Sequence, residues 1–161
     1  MNKYSILLIA CGIFLGSCCN EDFIMPDYDL FEFAIDMTDE IDTGCSGAIY
    51  STVGATSDGD VGSCNPNPSS LHNRWFKFMA SNTSIYIYVN NGNDPGTQLH
   101  TYMTLWEADG VTELACAAPY FDDPVVYLGY GPLTVGEWYY LSIDVEDSQS
   151  AGTFSLCLAT D

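Results

Sequence analysis

The sequence predicts an all-β fold, an antiparallel, jelly-roll-like β-sandwich pinned by disulfides. Short segments in which apolar and polar residues alternate recur along the chain, and Gly, Asn, Asp and Pro residues separate them. Aromatic residues make up 14% of the 161 residues, and aromatic and β-branched side chains favour strands. No long segment beyond residue 17 has the periodicity of a helix. The length suits one domain that buries a core of its own.

The clearest strand pair lies at residues 131–158. Residues 138–146 alternate strictly, which is typical of a strand with one buried face. Residues 147–152 have the composition of a turn, and residues 153–158 form the returning strand. Further strands are predicted at 48–53, 74–80, 85–89, 101–107, 111–117 and 125–128. The Gly-, Ser- and Asn-rich segment 54–71 is expected to be a loop that is either functional or held by a disulfide.

The first residues are typical of a bacterial lipoprotein signal peptide. Residues 4–15 form an apolar stretch that is too short for a comfortable membrane span. The stretch ends in Leu15-Gly16-Ser17-Cys18, which resembles a lipobox, in which the cysteine becomes lipidated. We therefore assign residues 1–17 to the signal peptide and Cys18 to a lipid anchor in the outer membrane. The alternative is an ordinary signal peptide and a secreted product.

Residues 18–44 are interpreted as an acidic tether that like-charge repulsion keeps extended. The acidic residues that follow Cys18 resemble the surface-export signal of Bacteroidetes lipoproteins, so we expect exposure at the cell surface. Apolar residues alternate with other residues at Phe31, Phe33 and Ile35, so a short edge strand within this segment is an alternative interpretation. Residues 45–161 are assigned to the sandwich.

Four cysteines lie within the sandwich, Cys45, Cys64, Cys116 and Cys157, and export exposes them to an oxidising compartment. They allow three pairings. We favour Cys45–Cys64, which would close the polar loop, and Cys116–Cys157, which would tie a hairpin to the last strand. A zinc site is the competing interpretation, although no two of these cysteines have Cys-x-x-Cys spacing.

Four segments carry a family resemblance. Residues 73–78 read NRWFKF, residues 103–107 and 113–116 read MTLWE and ELAC, and residues 152–158 read GTFSLCL. In this order they resemble the bacterial pre-peptidase C-terminal-like β-sandwich module, over roughly residues 45–161. The resemblance implies an accessory module of secreted and surface proteins of Bacteroidetes-type bacteria, a class whose individual ligands are mostly undefined.

The charge balance argues against a nucleic-acid partner. The formal net charge is −19, and Lys3, Arg74 and Lys77 are the only Lys and Arg residues. Binding to nucleic acid needs a basic surface, which this composition does not provide. An acidic surface is instead compatible with extracellular exposure and with divalent cations.

A glycan-binding surface is the sharpest functional hypothesis. Many aromatic residues lie opposite the aliphatic faces of their strands, and exposed rings stack on the C–H faces of pyranoses. The candidate ligand-binding residues are Trp75, Tyr86, Tyr88, Tyr102, Trp106, Trp138 and Tyr140. The competing interpretation is that both faces of some strands are buried, because large aromatic side chains dominate protein cores.

A structural calcium ion is the second hypothesis, because calcium prefers carboxylate oxygens on sharply turning backbone. The candidates are Asp58 and Asp60, which flank Gly59, and the pair Asp122 and Asp123. The full EF-hand pattern is missing, and a solvated acidic turn is the competing interpretation.

An enzyme is not expected. His72 and His100 are the only histidines, and neither belongs to a Gly-x-Ser-x-Gly or His-Glu-x-x-His motif. We expect a non-catalytic cell-surface or secreted binding module that recognises a glycan or another surface ligand. The alternative is a structural or protein-interaction accessory domain with no small ligand. Exposed, coplanar aromatic rings would favour the first function, and buried rings the second.

Overall fold

Two β-sheets face each other across one core. The computed structural model describes residues 28–161, apart from 57, 68–71, 91–93, 121–122 and 124. The strands are β1 (Ile35–Asp36), β2 (Tyr50–Ser51), β3 (Arg74–Met79), β4 (Ile85–Val89), β5 (Thr101–Trp106), β6 (Glu113–Ala117), β7 (Val126–Tyr130), β8 (Trp138–Val145), β9 (Thr153–Phe154) and β10 (Leu156–Ala159). Short 3₁₀ turns at Phe31–Phe33 and Thr38–Glu40 flank β1.

The larger sheet has the strand order β1-β3-β8-β5-β6, and the smaller sheet has the order β10-β4-β7. Strands β2 and β9 form a separate pair at one end. All pairings are antiparallel except the short contact of β1 with β3. The described residues include no α-helix. The predicted all-β, antiparallel, disulfide-pinned sandwich is confirmed.

The alternating pattern of β8 places its apolar side chains in the core. Leu141, Ile143 and Val145 are fully buried at the centre of the larger sheet. Leu141 and Ile143 pack with Phe76 and Phe78 of β3 and with the inward-facing aliphatic side chains of the smaller sheet. Each fully buried side chain of this size contributes about 1.5–3 kcal/mol, so this layer is the main source of stability.

The segment 28–44, which we call the N-terminal strap, belongs to the fold. The Trp75 backbone N–H donates to the Tyr28 carbonyl oxygen at 2.7 Å, and the Met37 N–H donates to that of Lys77 at 2.8 Å. Asp29 pairs with Arg74 at 2.7 Å, with both side chains about one-tenth exposed. The expectation of an extended tether is therefore wrong for residues 28–44, because their apolar side chains and backbone groups are used by the domain.

The assigned boundary at residue 45 is accordingly too late, whereas the edge strand left open at Ile35 is present as β1. The signal peptide at 1–17, the lipidation site Cys18 and the rest of the tether lie outside the described residues. Within the described part of the chain, no helix has the length and apolar character needed to cross a membrane.

The four cysteines of the sandwich form two disulfides, but not in the favoured pairing. Cys45 bonds Cys157, and Cys64 bonds Cys116. Cys157 lies on β10 directly opposite Cys45, with the two Cα atoms 4.3 Å apart. The pairing Cys116–Cys157 is wrong because β6 and β10 belong to different sheets, a separation that spacing along the chain does not reveal.

Candidate functional site

Three of the seven aromatic candidates are core residues. Trp75 is 0% exposed, Trp106 2% and Tyr102 7%. The indole N–H of Trp106 donates to the Ser142 hydroxyl at 2.9 Å. The prediction that these three residues bind a ligand is wrong, since their side chains are buried while the domain is folded.

The N-terminal strap explains part of this burial. Trp75, Trp106 and Tyr140 come from neighbouring strands and project from the outer face of the larger sheet. The Phe31 ring packs on them, with its centroid 4.3 Å from that of Tyr140 and 5.2 Å from that of Trp75. Ala34 completes this second, smaller apolar cluster.

Residues 58–67, which we call the covering loop, close the rest of the same face. The Asn65 side-chain amide donates to the Asp144 carboxylate at 3.3 Å, and the Cys64–Cys116 disulfide joins the loop to β6. Gly62 lies so close to the sheet that a Cβ atom there would stand 1.9 Å from the Thr104 hydroxyl oxygen. The outer face of the larger sheet is therefore a second packed layer.

Two further candidates lie at the rim of that layer. Trp138 and Tyr140 are half-buried. The Lys77 ammonium nitrogen stands 5.4 Å from the centre of the Trp138 ring, within the range of a cation–π contact. The Phe31 ring packs against Tyr140 at a tilt of 31°, so side chains of the protein itself already contact both the Trp138 and the Tyr140 rings.

The remaining candidates, Tyr86 and Tyr88, lie on the outer face of the smaller sheet. Period-two alternation points Ile85, Ile87 and Val89 into the core and the two tyrosines outward. Tyr127 of β7 joins them, because it lies directly opposite Tyr88. We call Tyr86, Tyr88 and Tyr127 the tyrosine face.

The rings of the tyrosine face lie close together and reach solvent. The Tyr86 and Tyr127 rings are nearly parallel, at 13°, with centroids 6.2 Å apart. The Tyr88 and Tyr127 centroids are 5.0 Å apart. Tyr127 is 49% exposed, and the other two are half-buried. Tyr127 is thus an exposed large apolar side chain that belongs to an aromatic cluster.

A shallow groove of about 270 Å³ runs beside these rings. It is lined by Ser84, Tyr86, Tyr127, Gly129, Tyr130 and Gly131. Gly129 lies opposite Tyr86, and a Cβ atom there would stand 2.5 Å from the Tyr127 hydroxyl oxygen. Glycine at this position is what lets the Tyr127 ring lie along the groove.

A carboxylate, that of Asp161, contacts two of the residues that line the groove. The hydroxyls of Tyr86 and Ser84 each donate to Asp161 Oδ2 at 3.1 Å. This hydrogen bond, together with the negative charge of Asp161, raises the pKa of the Tyr86 phenol above its ordinary value. The Asn82 side-chain amide donates to the Asp161 backbone carbonyl oxygen at 3.3 Å. The groove thus combines ring faces with hydroxyl, amide and carboxylate groups.

The sequence reasoning did not single out Tyr127. Residues 125–128 were interpreted only as a short apolar strand, whereas the strand extends to Tyr130. The useful signal is the alternation of Val126 and Leu128 with Tyr127 and Gly129, which matches the alternation of β4.

The calcium candidates are dispersed. The Asp58 carboxylate accepts the backbone N–H of Phe31, so it holds the N-terminal strap. Asp60 is exposed, and Asp123 accepts the Val125 N–H at 2.9 Å. Asp122 lies outside the described residues. Across the described ranges, no group of three His, Cys, Asp or Glu side chains is arranged to hold a metal ion.

A buried carboxylate, Asp144, lies beneath the covering loop. Burial raises its pKa from 3.8 to about 6, against hydrogen bonds from the backbone N–H groups of Val145 and His72, the charge of His72 and the Asn65 amide. The His72 ring does not form a dyad with it, since Nδ1 lies 3.0 Å from the Ala55 carbonyl oxygen. The contacts of Asp144 hold the loop to the sheet.

Comparison with known proteins gives a limited result. No protein-family model matches the chain, and no curated protein matches it. Among solved structures, the 1.0 Å crystal structure of the pre-peptidase C-terminal domain of a collagenase from Bacillus anthracis is similar over 53% of this chain and 75% of that chain. The sequence identity is 16% and the TM-score 0.41, values that leave the family assignment a prediction.

Proposed function

We propose that the protein is a non-catalytic binding module that holds a glycan on the tyrosine face. The observation that carries the proposal is the cluster of Tyr86, Tyr88 and Tyr127, which lies exposed beside a groove on an otherwise regular sheet. Contiguous apolar patches that stay exposed on a protein surface often mark binding sites.

The chemistry of the groove suits a sugar. Tyrosine rings offer a rigid apolar surface to the C–H face of a pyranose, and they lose little conformational freedom on binding. Ser84, Asn82 and Asp161 lie beside the groove, where donors and acceptors can reach ring hydroxyls. An open, shallow shape fits one unit of a longer polymer better than an enclosed small molecule.

The proposal includes the setting of the module. A lipid on Cys18 would anchor it to the outer membrane, with the sandwich displayed at the cell surface. Secretion without an anchor would leave the binding proposal unchanged.

One observation favours a second candidate, a structural or protein-interaction accessory domain. Trp75, Tyr102 and Trp106 belong to packed layers, which is the pattern expected for an aromatic-rich structural module. The two candidates differ at the tyrosine face, which only the glycan-binding function requires.

Binding of the purified protein to a polysaccharide panel, with calcium and with chelator, tests the proposal. We expect saturable binding to at least one glycan, and Tyr127→Ala should weaken it by about tenfold or more, since stacking on one ring is worth about 1–3 kcal/mol in related aromatic sites. Tyr120→Ala is the matched control, because Tyr120 is 76% exposed and does not line the groove. Tryptophan variants are unsuitable, since Trp75 and Trp106 are core residues.

Circular dichroism and thermal unfolding should show that Tyr127→Ala keeps the fold. Absence of binding by the folded protein to every glycan tested would contradict the proposal and favour the accessory-domain candidate. Binding that Tyr127→Ala and Tyr86→Ala both leave intact would place the glycan elsewhere.

A further inference from the structure

We infer that the tyrosine face prefers a glycan built from cationic amino sugars, such as linked glucosamine units. The inference rests on the proposed function and narrows its ligand class. It depends on the charges around the groove, which are of one sign.

No basic side chain competes with a ligand at this face. Strands β4, β7 and β10 contain no Lys or Arg. Arg74 and Lys77, the two such residues in the described ranges, both lie on β3 of the larger sheet. Arg74 is paired with Asp29, and Lys77 lies over the Trp138 ring. A cation that approaches the tyrosine face therefore meets aromatic rings and carboxylate without competition from these strands.

The groove offers two kinds of attraction to an ammonium group. The faces of tyrosine rings attract cations within about 6 Å of their centres. Asp161, beside the groove, adds a full negative charge within hydrogen-bond distance of the Tyr86 hydroxyl, at 3.1 Å. An amine on a sugar that stacks on Tyr86 or Tyr127 can reach both groups.

The shape of the site accommodates a sugar. The Tyr86 and Tyr127 rings are nearly parallel, at 13°, and project from a sheet face beside the groove. The groove is open and holds about 270 Å³, close to the lower limit of small-molecule sites. A lysine side chain can also lie over an open ring, as Lys77 does over Trp138, so a basic peptide is the alternative occupant that a comparison with oligolysine tests.

The charge of the whole protein excludes the opposite class of sugar. The formal net charge of −19 repels polymers of uronic acids, and the tyrosine face has no basic side chain on its strands to offset that repulsion. Neutral sugars keep the stacking energy but lose the attraction of the amine.

Titration calorimetry with hexamers of glucosamine, N-acetylglucosamine and galacturonic acid tests the inference. The experiment uses low salt at about pH 5.5, where the glucosamine amine carries a proton and exposed carboxylates are ionised. We expect the glucosamine hexamer to bind about tenfold more tightly than the acetylated hexamer. The galacturonic acid hexamer should not bind.

Variants separate the local site from the general acidity of the protein. Asp161→Asn should weaken glucosamine binding by about three- to fivefold and weaken the acetylated hexamer by less, so the preference for the amine should fall. Asp39→Asn removes an exposed carboxylate in the 3₁₀ turn beside β1 and should change neither affinity. Tyr127→Ala should weaken both hexamers.

The possible failures are distinguishable. Equal affinity for the two glucosamine-based hexamers would overturn the inference and leave the proposed function standing. A preference for the amine that survives Asp161→Asn and Tyr127→Ala would reflect diffuse charge and overturn it too. Tighter binding of an oligolysine of equal charge, with the same sensitivity to the variants, would make the occupant a basic peptide. Failure of all hexamers to bind would count against both proposals.

Discussion

Asp144 shows how one residue couples the covering loop to pH. Burial raises its pKa to about 6 in the folded protein, above the ordinary value of about 4 that the unfolded chain has. The folded state therefore holds a proton on this group that the unfolded state releases between these two values. The stability that comes from the protonated form is complete below about pH 4 and is lost as pH rises through about 6.

We expect the free energy of unfolding to fall by about 2–3 kcal/mol between about pH 4 and pH 6 because of this group. Asp144→Asn removes the titration, so the difference in stability between the native protein and the variant should change by that amount over this range. Urea unfolding at a series of pH values measures it, and Asp39→Asn is the control for the general charge. Parallel pH profiles for the native protein and Asp144→Asn would contradict the assignment.

At the residue scale, the sequence predicts which face of a strand a side chain lies on better than it predicts whether that side chain is buried. Alternation correctly places Trp75 and Tyr86 on faces opposite the aliphatic side chains. Trp75 is nevertheless buried and Tyr86 is not, because the N-terminal strap covers one face and no described segment covers the other to the same extent. The N-terminal strap, more than 40 residues away along the chain, and the covering loop together decide the outcome, and strand periodicity carries no information about either segment.

At the scale of elements, the covering loop and its disulfide shield Trp75 from solvent. A Cβ atom on Gly59 would stand 3.0 Å from the Trp75 ring, so this loop lies directly on that indole. Cys64–Cys116 ties the same loop to β6. The other disulfide is on the opposite side of the molecule, where Cys157 pairs with Tyr88 in the smaller sheet.

Removal of Cys64–Cys116 should therefore affect tryptophan fluorescence. We expect Cys64→Ser with Cys116→Ser to cost about 2–4 kcal/mol of stability and to shift the emission of the folded protein to longer wavelength. Cys45→Ser with Cys157→Ser is the matched control. It should cost a similar amount of stability but leave the emission in place, since no tryptophan lies on the smaller sheet. A red shift confined to the control would refute this role of the loop.

The positions of the strands can be predicted from the sequence, because a strand with one buried face imposes a period of two. Which strands pair with one another cannot be predicted in this way. Strand β8 pairs with β3 and β5, and β10 pairs with β4, across long stretches of chain. The disulfide pairing follows from this arrangement, which is why it was predicted wrongly while the four cysteines were identified correctly.

At the scale of the whole molecule, the domain is closed by contacts between its two ends. The Asp42 carboxylate accepts the Thr160 N–H and hydroxyl, both at 2.7 Å, and these bonds lower the pKa of Asp42. Tyr50 of β2 pairs with Phe154 of β9. Both disulfides also join the first half of the chain to the second.

The positions of the Lys and Arg residues determine where a protease that cleaves after basic residues can cut this closed domain. A protease that cleaves after Lys or Arg finds only Lys3, Arg74 and Lys77, and the last two lie inside β3, between β1 and β8. Peptide bonds within a paired strand resist such a protease until the domain opens, so cleavage there reports global unfolding. Digestion of the unfolded, unreduced chain should produce a segment that ends at Arg74 and the segment 78–161, and the two should stay joined, since each holds one cysteine of each disulfide. Mass spectrometry before and after reduction measures this, and segments that separate without a reductant would show instead that Cys45 pairs with Cys64.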